Sequence, residues 1–146
     1  MASLTVAAVV ISRGNAETLN QTLTALQNQT HPLEQVVVVE TLESEQCLDL
    51  AKSFGFAALM SDSKKQGAAI ENGIRAFQGT PSWLWILHHD TAPESEALER
   101  LSRAAEISPS VAVIGPKLLD WDHPIQIRQL GLTTSKTSRP FTLVED

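Results

Sequence analysis

Residues 83–94 read WLWILHHDTAPE, an apolar run that changes abruptly into polar side chains. The run from Trp83 to Leu87 predicts a strand buried in a sheet, because it is short, apolar and rich in aromatic and branched residues. Thr91 and Glu94 have the spacing of a capping box, which predicts that a helix follows at once. A buried strand that passes through a polar turn into a helix is typical of α/β proteins.

Three consecutive side chains at this turn can bind metal or form hydrogen bonds: His88, His89 and Asp90. If the pleat of the strand persists, His88 and Asp90 share one side of it and His89 faces the other. A single carboxylate can hold Mg²⁺ or Mn²⁺ when diphosphate oxygens and water complete the shell. Two alternatives stay open: the histidines only cap the sheet edge while Asp90 belongs to a turn, or all three side chains bind a transition metal such as Zn²⁺.

Four other apolar runs also predict strands, and helically spaced apolar residues lie between the runs. Since the runs lack an alternation of apolar and polar residues, both faces of the sheet should be covered by helices. The order of elements therefore predicts a three-layer α/β/α fold with a mainly parallel sheet and right-handed crossovers. The four runs are Thr5 to Ile11, Gln35 to Glu40, Phe56 to Met60 and Val111 to Ile114.

Polar residues follow most of the predicted strands, and in an open parallel sheet the carboxyl ends of the strands form the ligand site. The first turn contains Gly14 alone, which excludes the G-x-G-x-x-G fingerprint of dinucleotide-binding proteins. The chain also has no P-loop motif. Ser12 and Arg13 stand where a phosphoacceptor domain of the receiver type would need acids.

Composition narrows the function classes further. The 146 residues carry 11 Lys and Arg against 17 Asp and Glu, a formal charge of −6, which disfavours nucleic acid as a main partner. The run from Val6 to Ile11 is far shorter than the ~20 residues of a membrane span, so we expect no membrane segment in this chain. The single cysteine, Cys47, gives no sign of disulfide bonding, and we expect a cytoplasmic protein.

Several of these stretches together resemble the inverting family 2 glycosyltransferases of GT-A fold. The stretch from Leu87 to Pro93 is similar to the family's D-x-D element and the step into the next helix. The resemblance covers about residues 4–131 and is carried by a set of further motifs: VVISRGN at 9–15, QTHP at 29–32, VVVVE at 36–40 and GAAIENGI at 67–74.

The resemblance implies roles for individual residues. Ser12 and Arg13 would line the nucleotide pocket, and Glu40 and Asp62 would hydrogen-bond the base. Gly67 would let the backbone approach the ligand. At the D-x-D position, His88 and His89 would contact the substrate, and Asp90 would bind Mg²⁺ or Mn²⁺. These site residues are Ser12, Arg13, Glu40, Asp62, Gly67, His88, His89 and Asp90.

As a whole the resemblance implies a transferase that moves a sugar, with inversion, from a nucleotide diphosphate sugar to an unidentified acceptor; a UDP- or GDP-sugar is the expected substrate. Residues 1–115 would form the nucleotide-sugar-binding core and 116–146 the start of an acceptor-side region. The general base would then lie beyond Asp146, in a longer protein that is truncated here. Two locations stay open for that longer protein: the cytoplasm, or the cytoplasmic face of a membrane. The alternative is a non-catalytic nucleotide-binding or interaction module of the same fold.

Overall fold

Four parallel strands form the main sheet of the protein, in a computed structural model that describes residues 4–130, 133–134 and 140–141. Strands and helices alternate along the chain as the apolar runs predict. The elements are β1 (Val6–Ser12), α1 (Ala16–Gln27), β2 (Gln35–Glu40), α2 (Glu45–Ser53), β3 (Ala57–Met60), α3 (Gln66–Arg75), β4 (Trp83–His88) and α4 (Ala97–Ile107).

The strand order in this sheet is β3-β2-β1-β4. The chain therefore moves outward from β1 to β3 and then returns to place β4 on the other side of β1. Cores on the two faces of the sheet follow this path: Leu19 of α1 and Cys47 of α2 pack with Ala8 and Val10, whereas Ala69 of α3 packs with Val9 on the opposite face. This is the arrangement expected when every crossover has the same hand. The predicted three-layer α/β/α fold is confirmed.

Buried apolar area on both faces of β1 anchors the sheet. All seven residues of this strand are buried, and its side chains alternate between the two cores. A strand with both faces covered has no wet side, which explains its continuous run of apolar residues.

The sequence predicts Asn15 as the N-cap of the first helix, and the structure agrees there but differs at the fourth helix. The Asn15 side chain accepts hydrogen bonds from the amides of Glu17 and Thr18, as an N-cap residue should. The capping box predicted at Thr91 and Glu94 is wrong, because the helix begins at Ala97. Thr91 instead closes a turn: both its amide and its hydroxyl donate to the carbonyl of His88.

The strand predicted from Val111 to Ile114 is also wrong. These residues follow a turn in which the Val111 amide donates to the Ser108 carbonyl, and none of them lies in a ladder among the residues that the structure describes. Val113 is 86% exposed. Branched residues favour a strand only where they can pair in a sheet, and Val111–Ile114 pair with no strand in the described ranges.

Residues 100–146 group separately from residues 1–99. They contain two short antiparallel pairs, β5 (Leu118–Leu119) with β6 (Ile127–Gln129), and β7 (Thr133–Thr134) with β8 (Pro140–Phe141). The sequence predicts a loop over Pro116–Pro124 and an edge strand or hairpin over Gln126–Thr134. The structure has β5 within the predicted loop and β6 within the predicted strand or hairpin. Most of the segment from Ser135 onward, with no packing partner identified from sequence, lies outside the described residues. The division predicted after residue 115 stays a prediction.

Asp120 organises the turn between β5 and β6. It is 8% exposed, and its Oδ1 accepts from the amides of Asp122 and His123 at 3.0 and 2.9 Å. Its Oδ2 accepts from Nε of Arg128 at 2.5 Å. The Arg128 hydrogen bond, followed by that from the His123 amide, lowers the pKa of the Asp120 carboxyl below its usual value.

No helix in the part of the chain that the structure describes is both long and apolar enough to cross a bilayer.

Gly73 sets the distance between α3 and the sheet, and its replacement by alanine should destabilise the fold. A Cβ there would lie 2.7 and 2.8 Å from the two γ-carbons of Val9 and 3.2 Å from Cγ2 of Val39. Overpacking of this kind costs about 1–3 kcal/mol of unfolding free energy, measurable by urea denaturation. The matched control is Gly67→Ala in the same helix, where a Cβ meets nothing within 4 Å. Equal losses in both variants would contradict the packing explanation.

Acid should loosen the β5–β6 turn. Because the folded pKa of Asp120 is lowered, its contribution to stability is present above the unfolded value of about 4 and is lost as the pH falls through the lower folded value. Amide hydrogen exchange at Asp122 and His123, followed from pH 6 to pH 2, should show protection that disappears only at the acid end. In Asp120→Asn this pH dependence should be absent. If Asp120→Asn loses amide protection at the same pH as the unchanged protein, another titrating group is responsible.

Candidate functional site

The candidate site lies where the chain reverses its progress across the sheet, at the carboxyl ends of β1 and β4. Ser12 pairs with Glu40 of β2, and Ile11 pairs with His88 of β4. Ladder hydrogen bonds continue past the strand ends: the Thr41 amide donates to the Ser12 carbonyl, and the His89 amide donates to the Ile11 carbonyl, each at 3.0 Å. In open α/β sheets this switch point is where ligands bind. The register therefore brings the sequence-predicted residues of three strands to one rim.

Glu40 and Ser12 form the buried centre of the rim, and both side chains are 0% exposed. The Ser12 hydroxyl donates to Oε2 of Glu40 at 2.5 Å, and the Gly14 amide donates to the same oxygen at 3.2 Å. The Leu42 amide donates to Oε1 at 2.7 Å. Both carboxylate oxygens are thus occupied by groups of the protein itself.

Arg13 stands between these contacts and faces solvent. Its side chain is exposed and has no hydrogen-bond or ion-pair partner among the residues that the structure describes. The backbone on its far side turns at Gly14, where φ is +76°, and then enters α1 at the Asn15 cap. Glycine tolerates this left-handed conformation without strain. A free guanidinium on a fixed loop is suited to bind an anion.

The two histidines point to opposite faces of the sheet. Nε2 of His88 lies 3.0 Å from the side-chain nitrogen of Gln66 at the start of α3. Nδ1 of His89 lies 2.7 Å from the Thr18 hydroxyl of α1, and Thr22 donates its hydroxyl to the His89 carbonyl at 2.8 Å. Since the Gln66 amide donates, His88 accepts through Nε2 and carries its proton on Nδ1. The rings separate because the chain stays in register with β1 through the His89 amide, which donates to the Ile11 carbonyl, so successive side chains still alternate there.

Asp90 lies one residue past the histidines, on the turn that Thr91 closes. Its carboxylate is exposed and has no protein partner within the described ranges. β4 ends at His88, so the strand pleat that would place Asp90 beside His88 does not continue.

No group of three His, Cys, Asp or Glu side chains suited to a metal ion occurs among the described residues. The transition-metal alternative therefore lacks converging ligands here. A hard cation that takes most of its oxygen ligands from a diphosphate and water needs only one protein carboxylate, and the free Asp90 fits that requirement.

At the end of β3, Asp62 is oriented by a neighbour on α3. Oδ1 of Asp62 accepts from the Asn72 side chain at 3.1 Å, and Asn72 also donates to the Ser61 hydroxyl at 3.2 Å. Asp62 is exposed, so its second oxygen faces solvent. Gly67 is exposed in the first turn of α3, and the preceding cap residue, Lys65, makes no side-chain capping bond. Amides at an uncapped helix start attract anions.

Sequence reasoning missed the residues that orient the histidines. Thr18 and Thr22 lie one helical turn apart, beside the apolar stripe of Leu19 and Leu23, and this polar pair on a buried face was the available signal. Gln66 offered no signal, because its partner is known only from the fold.

Comparison with known proteins identifies the architecture. The model of the family described as glycosyl transferase family 2 matches residues 7–131. No curated protein sequence matched the chain.

Solved structures with a similar fold include S. aureus TarS, with 14% identity and a TM-score of 0.60 over 71% of this chain and 20% of TarS. A CMP:2-keto-3-deoxy-manno-octonic acid synthetase complexed with CTP has 11% identity and a TM-score of 0.58, over 73% of this chain and 49% of that protein. A 4-diphosphocytidyl-2C-methyl-D-erythritol synthase has 14% identity and a TM-score of 0.60, over 87% of this chain and 69% of that one. The chain thus spans about a fifth of TarS and about half of the first synthetase.

Removing the Thr22 hydroxyl should weaken the attachment of the His89 turn to α1. Thr22→Val keeps the side-chain volume but leaves the His89 carbonyl without its bond, at a cost of about 1–3 kcal/mol in unfolding free energy. The control is Thr24→Val on the same helix, whose exposed hydroxyl bonds only the Asn20 carbonyl. It should change stability by less than about 0.5 kcal/mol. Urea denaturation measures both, and equal effects would contradict a specific role for Thr22.

Proposed function

This chain belongs to glycosyl transferase family 2, and we propose that it binds the nucleotide diphosphate sugar, a UDP- or GDP-sugar, from which the full-length protein transfers the sugar with inversion to its acceptor. The observation that carries the proposal is the exposed carboxylate of Asp90, which has no partner among the described residues and lies at the switch point of the sheet. The chain belongs to a family named for glycosyl transfer.

Asp90 would hold Mg²⁺ or Mn²⁺. A divalent ion there would bridge the two phosphates and neutralise the charge that develops on the leaving nucleotide, which is worth several kcal/mol in comparable sites. The exposed carboxylate needs no rearrangement for this role, since no protein group within the described residues competes for it.

Other residues of the rim would place the nucleotide. The free guanidinium of Arg13 would bind phosphate oxygens, and Ser12 holds the backbone beside it. Exposed Gly67 at the start of α3 would admit the ligand close to free backbone amides. Asp62, oriented by Asn72, offers an oxygen to an N–H group of the base.

His88 and His89 would line the pocket where the family carries acids. With Nε2 of His88 accepting from Gln66, its Nδ1–H is the group available to donate to a phosphate or ribose oxygen. The general base is expected beyond Asp146, so what we propose for residues 1–115 is substrate binding, with 116–146 beginning the acceptor side.

One observation favours a second candidate, a non-catalytic nucleotide-binding or interaction module of the same fold. Both imidazoles are engaged in hydrogen bonds within the protein, so residues 88–90 present one carboxylate, that of Asp90, where a D-x-D element has two. Binding that does not depend on metal would favour this candidate.

We also propose a cytoplasmic location. It is supported by Cys47, which is a buried free thiol in the described part of the chain and packs in the core on one face of the sheet.

Asp90→Asn tests the assigned metal role. In the unchanged protein, UDP or GDP at 100 times its dissociation constant with Mn²⁺ should raise the unfolding free energy by about 2.7 kcal/mol, seen as a thermal shift. Asp90→Asn should lose the part of this shift that depends on Mn²⁺, because the amide is a much poorer ligand for a hard cation.

The control is Asp49→Asn, which makes the same change at an exposed acid of α2 and should keep the full shift. If Asp90→Asn responds as strongly as the unchanged protein, the metal role of Asp90 is wrong. An equal shift with EDTA in place of Mn²⁺ would point to the non-catalytic module.

A further inference from the structure

The side chain of Glu40 joins the two loops that flank the switch point. Its three hydrogen-bond donors are the Ser12 hydroxyl at the end of β1, the Gly14 amide in the loop that follows, and the Leu42 amide in the loop after β2. We refer to these three hydrogen bonds as the Glu40 clamp. A buried carboxylate that accepts several hydrogen bonds is held firmly, because breaking them would leave a charge unsolvated.

Burial, together with the clamp, keeps the Glu40 carboxylate out of reach of a base in this conformation. The side chain is 0% exposed, and each oxygen already accepts at least one hydrogen bond from the protein. A nucleotide base can reach this carboxylate only if the loops separate. Base contact, the role that family resemblance implies for Glu40, would therefore require the clamp to open.

A second set of hydrogen bonds joins the same two segments of the chain. The hydroxyl and the amide of Thr41 both donate to the Ser12 carbonyl, at 2.8 and 3.0 Å. Leu42 also lies over Gly14, since a Cβ built on that glycine would be 3.6 Å from Cβ of Leu42. Arg13 lies between Ser12 and Gly14, so hydrogen bonds hold the backbone on both sides of it. Its side chain is exposed and has no partner among the described residues.

We infer that Glu40 is a positioning residue, which acts through Arg13 by fixing the loop that presents the guanidinium to the nucleotide phosphates. This inference rests on the proposed function for its ligand, a nucleoside diphosphate. Glu40 then contributes to affinity for every nucleotide alike, because phosphates are common to all of them, and selection among bases falls to other rim groups such as Asp62.

Glu40→Gln is the informative substitution. The amide keeps one acceptor oxygen, and its NH₂ group can donate to the Ser12 hydroxyl, but at least one backbone amide, of Gly14 or Leu42, loses its acceptor. Exchange of that amide with solvent should become roughly tenfold faster. Glu34→Gln, an exposed residue at the other end of the sheet, makes the same chemical change and should leave both amides unaffected.

Binding of UDP, GDP and CDP with Mn²⁺, measured by calorimetry, then separates positioning from base recognition. Loss of the hydrogen bond that orients a metal ligand typically weakens affinity 10–100-fold, and by analogy we expect about tenfold for all three nucleotides with their order unchanged. A loss confined to one base, or a reversed order, would overturn the inference, and so would unchanged amide exchange at both Gly14 and Leu42.

A double-mutant cycle with Arg13→Ala tests whether Glu40 acts through Arg13. Once Arg13 is removed, Glu40→Gln should weaken nucleotide binding by less than twofold, because its effect passes through the missing side chain. Full additivity of the two losses would overturn the inference. If Glu40→Gln does not fold, Ser12→Ala removes one bond of the clamp and should give a smaller, equally base-independent loss.

Failure of the proposed function gives a different result. If the unchanged protein binds none of the three nucleotides, the proposed function fails and so does the role of Glu40 toward a nucleotide. Amide exchange then still shows whether the clamp holds the loops.

Discussion

Parallel pairing of β1 with both of its neighbours is the constraint on which the site depends. Because β1 is hydrogen-bonded to β2 on one side and β4 on the other, the ends of three strands are brought into register. Two further ladder bonds, to the Ser12 and Ile11 carbonyls, carry that register into the loops. Backbone hydrogen bonds therefore form the rim, and they determine the positions of the side chains at the site.

The carboxylates of Glu40 and Asp90 on this rim lie in opposite environments, one buried and one exposed. Glu40 is buried and accepts three hydrogen bonds from the protein, whereas Asp90 is exposed and free of protein partners in the described part of the chain. A buried carboxylate that accepts several hydrogen bonds from the protein holds the surrounding segments in place. A free exposed one can bind an ion together with its phosphates.

The two histidines that precede Asp90 are held by different parts of the fold. Each ring is attached to a different helix, His88 to α3 through Gln66 and His89 to α1 through Thr18. These attachments fix the rings on either side of the turn that bears Asp90. The family match identifies the architecture, and the solved structures, at 11–14% identity, support the fold alone.

The sequence by itself determined the order of strands and helices, the covering of both sheet faces, the Asn15 cap and the polar ends of the strands, because these are set by local periodicity and by neighbouring residues. It was wrong at Val111–Ile114 and at the Thr91 cap, where a missing pairing edge and a closed turn overrode local preference. Only the tertiary structure decided that Glu40 turns inward and that Thr22 holds His89. The first contact joins residues 28 positions apart and the second joins residues 67 positions apart. The sheet register brings such residues together, and it cannot be predicted from either local segment alone.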